Sequence, residues 1–191
     1  MQGVRYVWND STVLALMSLQ AIPAFLIMPY TPLLPIFAKE VLHIGPEGLG
    51  TLMMANGIGS VIGSIAIVLL PVRRQGIFQF VSLASMGGAL ALFAASIWLP
   101  ASVGIMGLIG GAQAIYLASN NTLVQVATPD ELRGRVMRVY MMTWGLMPLE
   151  SLPQGIIAGW FGAPIVAAGT GLMACLVVIV FEARAPALRR L

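Results

Sequence analysis

Seven acidic side chains are spread over 191 residues, and one of them, Glu150, stands about eleven residues inside an apolar run. Loss of water favours the neutral form of a carboxyl, so an acid in such a place can take up and release a proton during a working cycle. The plainer alternative is an acid near the outer interface, or one neutralised by a hydrogen bond to Gln154 or a neighbouring helix. Upstream, Gln113, Tyr116 and Asn120 follow one another at offsets of three and four, so they share a helical face. Thr143, Glu150 and Gln154 form another such face, and Gln20, Tyr30 and Asn56 are further polar groups in apolar surroundings. Side chains of this kind are costly in hydrocarbon and normally face a bundle interior or a water-filled cavity. They can bind a polar substrate, and they can equally join helices.

The other concentration of reactive groups is Thr128–Tyr140, TPDELRGRVMRVY, which holds five charged residues although only 9% of the chain is charged. Thr128, Pro129 and Glu131 have the spacing of a capping box that would open a helix. Glu131 precedes Arg135 by one turn. A fork of arginines at a helix end can pair with acids or helix C-termini in one conformation and release them in another, with Gly134 allowing close approach. A solvated helix start is the alternative.

Several chemistries have no residues to carry them. There is no zinc-type histidine pair, no paired cysteine, no nucleophile elbow and no phosphate loop. Catalysis, a resident metal and a cofactor are therefore not expected.

Elements that cross a bilayer must hold these groups. Hydrophobic residues make up 59% of the chain and the mean hydropathy is +0.92, outside the range of soluble domains. The apolar residues fall into six runs, Val13–Phe37, Gly48–Leu70, Ile77–Trp98, Ser102–Val126, Val139–Trp160 and Pro164–Phe181, each about the length a helix needs to span ~30 Å. The expectation is an all-α integral membrane bundle of six helices in a single domain, 1–191. Spans three and six are poorest in internal polar groups and should stand outside. Pro23, Pro29, Pro32 and Pro35 predict kinks in span one. The pairs Gly59/Gly63, Gly107/Gly111 and Gly155/Gly159 predict close helix contacts.

Nine of the ten basic residues fall before span one, after spans two and four, and after span six; Lys39 alone falls on the other side. Lys- and Arg-rich short loops remain in the cytoplasm, so both termini are expected inside. The basic charge is then explained by topology and anionic lipid, with no call for nucleic acid.

The segment Pro-Asp-Glu-Leu-Arg-Gly-Arg-Val-Met, placed after a fourth span, resembles the loop between the tenth and eleventh helices of major facilitator superfamily transporters. Spans one, two and five, through MPYTPLLPIFAKEVLHIGPEGLGTLMMANGIGSVIGS and WGLMPLESLPQGIIAGWFGAP, are similar to the branch containing the enterobactin exporter and related drug-efflux permeases. Of that superfamily's loop signature, Gly63, Arg73, Arg74 and Gly76 remain and the acidic position is absent. The resemblance implies the C-terminal six-helix half of a twelve-helix secondary transporter in a bacterial inner membrane, exporting amphipathic molecules such as drugs or siderophores against protons. Its partners would be the bilayer, a small-molecule substrate and an N-terminal half, covalent or associated.

The residues expected at the substrate cavity are Gln20, Tyr30, Asn56, Gln113, Tyr116, Asn120, Glu150 and Gln154, with Glu150 for proton coupling. Those expected at the cytoplasmic gate are Asp130, Arg133, Gly134, Arg135, Arg138, Arg73 and Arg74. The rival expectation is a membrane subunit that scaffolds a partner without transporting, or an inactive truncated permease.

Overall fold

A chain this apolar has to close its backbone hydrogen bonds within each segment, which helices do without help. The computed structural model describes residues 6–8, 10–69, 75–144 and 147–184, and among them every regular element is helical. Helix α1 (Ser11–Ile22) starts at Asp10, whose carboxylate accepts from the backbone N–H groups of Thr12 at 2.9 Å and Val13 at 3.1 Å. Two of the donors that a helix start leaves open are thereby closed. Sequence reasoning passed over this acid, although its place just before Ser11 and Thr12 is the usual signal. Asp10→Ala should cost about 0.5–2 kcal/mol, seen as a lower unfolding temperature in detergent; an unchanged midpoint would remove the cap from the account.

Beyond α1 the chain stays helical to Val41, giving a 30-residue span over Thr12–Val41. The prolines do not break it. It changes pitch instead, through a π turn at Pro23–Ile27, a 3-10 stretch at Met28–Leu33, an α turn at Leu34–Ile36 and a second π turn at Phe37–Val41. Met28 N–H reaches back five residues to Pro23 O, the wider turn that a proline ring in the ladder forces.

Four more helices are long and apolar enough to cross a membrane: α2 (Pro46–Leu69), α3 (Gln75–Ala95), α4 (Leu99–Ala127) and α7 (Ala163–Arg184). The run expected as one span over Val139–Trp160 is instead described as α5 (Asp130–Trp144) and α6 (Met147–Phe161), of 15 residues each. Helix α6 ends at Gly162, which takes a left-handed φ of 87° and donates its N–H to Ala158 O at 2.9 Å. Such a conformation costs glycine nothing.

Glycines set how closely the helices cross. On α2, Gly59 faces Gly107 of α4 and Gly63 faces Gly111: a Cβ on Gly59 would lie 1.9 Å from Gly107 O, and one on Gly63 2.3 Å from Gly111 O. Gly110 meets Asn56 O in the same way, at 2.0 Å. Ser60 lies on this seam and donates its hydroxyl to Gly110 O at 3.1 Å. With lipid as apolar as leucine, such backbone contact is the main attraction between helices.

A second close crossing joins α3 to α7. A Cβ on Gly171 would lie 2.6 Å from Gly87 O, and Cys175 Sγ contacts Ala84 O at 3.5 Å. Gly155 and Gly159, expected to pack in the same fashion, have nothing among the described residues within 4 Å of a built Cβ.

Between the seams lies the core. Leu16, Leu19, Leu83, Met86, Leu90, Met106 and Ile109 are fully enclosed, and Phe37 at the far end of the first span lies against Phe93 of α3 with ring centroids 5.0 Å apart.

Candidate functional site

Two grooves flank the α2–α4 glycine seam. One is apolar, about 660 Å³, and runs past Ile58, Ile62 and Ala66 of α2 toward Phe78 and Val81 of α3. The other is polar. It is an open groove of about 610 Å³ between Asn56, Ser60 and Ser64 of α2 and Gln113, Asn121 and Thr122 of α4, lined also by Ala114, Leu117 and Ala118. A volume of that order suits a small organic ligand.

The spacing makes the groove. Asn56, Ser60 and Ser64 recur every four residues on α2, one helical ridge, and they flank the glycine ridge of Gly59 and Gly63. Glycine contact therefore fixes the distance between the polar walls. Of the expected cavity residues, Asn56 and Gln113 lie in this groove. Asn56 donates its amide to Tyr30 Oη at 3.2 Å and to Met106 O at 3.4 Å, while Gln113 Nε2 approaches Met28 Sδ at 3.7 Å.

Gln20, Tyr30, Tyr116, Asn120 and Gln154, also expected at the cavity, are buried within the bundle. Their partners explain why. Asn120, wholly enclosed, accepts from Gln79 Nε2 at 2.7 Å and donates to Tyr140 Oη at 3.4 Å and Gln20 Oε1 at 3.5 Å. It ties the first span, α3, α4 and α5 together. Gln79, within the third apolar run, is as fully buried as Asn120. Its Oε1, like Gln75 Oε1 and Ser119 Oγ, has no partner among the described residues.

Tyr116 and Gln154 serve the prolines of the first span. A proline has no N–H to offer the carbonyl four residues before it. For Pro23 that carbonyl is Leu19 O, and Tyr116 Oη donates to it at 3.3 Å. For Pro29 it is Phe25 O, which receives Gln154 Nε2 at 2.8 Å. For Pro32 it is Met28 O, which receives the Thr31 hydroxyl at 3.2 Å. These three carbonyls thus find side-chain donors, while Thr31 O, four residues before Pro35, is met by the Leu34 backbone N–H. Such partners are the general condition for proline inside a membrane helix.

Glu150 falls on α6, but its side chain, like those of Thr143 and Trp144, lies outside the described residues, as do Arg73 and Arg74 altogether.

At the other end of α4, Thr128 does not act as the N-cap of the next helix. Its hydroxyl turns back to Val124 O at 2.7 Å, closing the end of α4, and Pro129 O accepts the N–H groups of Leu132 and Arg133 at 3.0 Å each. The carbonyls ending a helix need donors as much as the next helix start needs acceptors, and one hydroxyl proton serves one of them. Arg133 bridges the two elements: Nη2 pairs with Asp130 Oδ1 at 2.6 Å and Nε donates to Gln125 O at 3.3 Å. Arg138 Nε donates to Gly134 O at 3.4 Å, and Glu131, Gly134 and Arg135 are exposed.

Among the described residues no group of His, Cys, Asp or Glu has the arrangement of a metal site. The assembly is thus a multi-pass helical membrane protein with an uncharged polar groove set among spans of hydrocarbon length. Residues 1–190 match the family model described as transmembrane secretion effector. Comparison with curated proteins and with solved structures gave no match.

Proposed function

Because the chain belongs to the transmembrane secretion effector family, whose members are transporters of the major facilitator type, we propose that it forms the C-terminal six-helix half of a proton-coupled exporter. Its substrates are small amphipathic molecules of the kind represented by drugs and siderophores, and its place is a bacterial cytoplasmic membrane with both termini inside. Helices α5 and α6 together make the remaining crossing.

The observation that carries this reading is the polar groove between α2 and α4. Amides and hydroxyls in hydrocarbon are costly unless a partner or a ligand meets them. Helix α2 also touches its neighbours along a narrow ridge and leaves most of its surface uncovered, with Met54, Ile58, Val61, Ile62 and Val68 all exposed. An N-terminal six-helix half, covalent or associated, supplies the facing wall.

Alternating access then follows from one half rocking on the other around a central site. The glycine seam carries Asn56, Ser60, Ser64, Gln113, Asn121 and Thr122 as a single rigid face. Gln20, Tyr30, Tyr116, Asn120 and Gln154 hold the shape behind that face. Arg133, Arg135 and Arg138, with Arg73 and Arg74, belong to the cytoplasmic closure, and Glu150 exchanges the proton.

The test is flux through the full-length protein in proteoliposomes under an imposed pH gradient. Glu150→Gln should reduce proton-driven flux at least about tenfold, as expected when the group that must change charge cannot, while leaving substrate exchange without a gradient intact. Undiminished driven flux would remove Glu150 from coupling. Absence of flux for every amphipathic compound tried would sink the transport reading of the groove.

A further inference from the structure

The polar groove has kept one half of its hydrogen-bonding capacity and committed the other. Ser64 donates its hydroxyl proton to Ser60 O at 2.8 Å, and Thr122 donates to Ala118 O at 2.9 Å. The single hydroxyl proton of Ser60 lies between Asn56 O at 3.0 Å and Gly110 O at 3.1 Å. Three oxygens are left with lone pairs and no proton to give.

The amides lean the same way. Asn56 Nδ2 is engaged by Tyr30 Oη and by Met106 O, and because a backbone carbonyl can only accept, the orientation of this amide follows and Oδ1 is the atom left over. Gln113 places its Nε2 3.7 Å from Met28 Sδ, leaving Oε1 and the second N–H of the amide. Neither oxygen is among the buried unpartnered atoms of the described residues, and both residues line the groove. Against these acceptors stands Asn121, whose Oδ1 is taken by Gln125 Nε2 and whose Nδ2 remains as a donor near the end of α4. Among the described residues no charged side chain lines the groove.

We infer that the groove takes amphipathic amines, whose N–H groups donate to several of these oxygens, and rejects carboxylates of the same size. A carboxylate brings only acceptors, and against five oxygens it finds only amide N–H groups of Asn121 and Gln113 as donors, so most of its lost hydration is not replaced. An ammonium group brings three donors on one atom, a match for oxygens arrayed on two facing ridges. This rests on the groove being the substrate site, and it narrows the substrates from amphipathic molecules in general to hydrogen-bond donors.

A matched pair of fluorescent probes tests it: naphthylethylamine and naphthylacetate, measured by equilibrium dialysis against the full-length protein in phosphatidylcholine nanodiscs, with empty nanodiscs subtracted. The amine should bind at least about tenfold more tightly, the effect of roughly one charge-assisted hydrogen bond. Ser64→Ala with Thr122→Val should weaken the amine about threefold or more and leave the naphthylacetate signal unchanged. Equal binding of the two probes, tighter binding of naphthylacetate, binding of neither, or an indifferent double variant would each overturn the inference. Flux of both probes, measured separately in proteoliposomes, keeps the two readings apart. Amine binding without flux argues against transport and leaves the inference standing, whereas naphthylacetate flux without amine preference does the reverse.

Discussion

Gly59→Ala combined with Gly110→Ala is expected to prise α2 from α4 and to give a protein that unfolds well below the unsubstituted one. A methyl at Gly59 would be built 1.9 Å from Gly107 O, and one at Gly110 2.0 Å from Asn56 O. Both obstacles are backbone, which cannot turn aside as a side chain can, so the helix axes must separate. Overpacking of this kind costs about 1–3 kcal/mol per site and at times more, and in lipid no hydrophobic gain compensates for lost contact. The two sites share one seam, so their effects should not simply add.

Gly104→Ala and Gly134→Ala are the opposing controls, since nothing lies within 4 Å of a Cβ at either place. Both are helical, and alanine should there be neutral or stabilising by up to about 1 kcal/mol. Cys175, the single cysteine, is half-buried against α3 and offers a native reporter: a thiol-reactive dye should label it at a lower temperature in the double variant. Coincident labelling curves for the double variant and the unsubstituted protein would show that the seam does not hold the bundle.

Gln154→Leu is the second substitution with a large expected effect. It removes the donor at 2.8 Å from Phe25 O, the carbonyl from which Pro29 withholds its N–H. An unpartnered carbonyl in the bundle costs about 1–3 kcal/mol, although interhelical hydrogen bonds in membrane proteins average nearer ~0.6. The distinguishing measurement is the cycle with Pro29→Ala. Alanine restores an N–H four residues beyond Phe25, so Gln154→Leu should cost much less in that background than with proline present. Equal losses in the two backgrounds would mean that Gln154 acts by packing alone.

Much of the architecture is readable in the residues, because a bilayer makes length and apolarity decisive. Thr12–Val41, Pro46–Leu69, Gln75–Ala95, Leu99–Ala127 and Ala163–Glu182 correspond to five of the apolar runs, and the run around Gly145 and Pro148 is described as two shorter helices. The seam of Gly59 and Gly63 against Gly107 and Gly111 is equally legible from spacing. The open positions of Gly155 and Gly159 are not, since a small-residue pair states only that close approach is permitted.

Polar residues are harder to place for a physical reason. Periodicity puts Gln113, Tyr116 and Asn120 on one face of α4 but does not say how that face is rotated. A polar face turned to a groove and one turned to a neighbouring helix have the same period. The structure divides them, with Gln113 in the groove and Tyr116 and Asn120 behind it. The donor role of Tyr116 and Gln154 could have been sought by asking what each proline leaves unpaired, a question that needs the third dimension for its answer.

The changes of pitch along the first span set a phase. Each residue of a 3-10 stretch advances the side chain by about 120° around the axis, against about 100° in an α-helix, and a π turn advances it by less. Overwinding at Met28–Leu33 and underwinding at Pro23–Ile27 and Phe37–Val41 therefore determine together which direction Phe37 faces relative to Leu19. Leu19 presents its carbonyl to α4 through Tyr116, while Phe37 meets Phe93 of α3. The changes of pitch act as angular gearing between two ends of one helix, setting which neighbours the distal end meets.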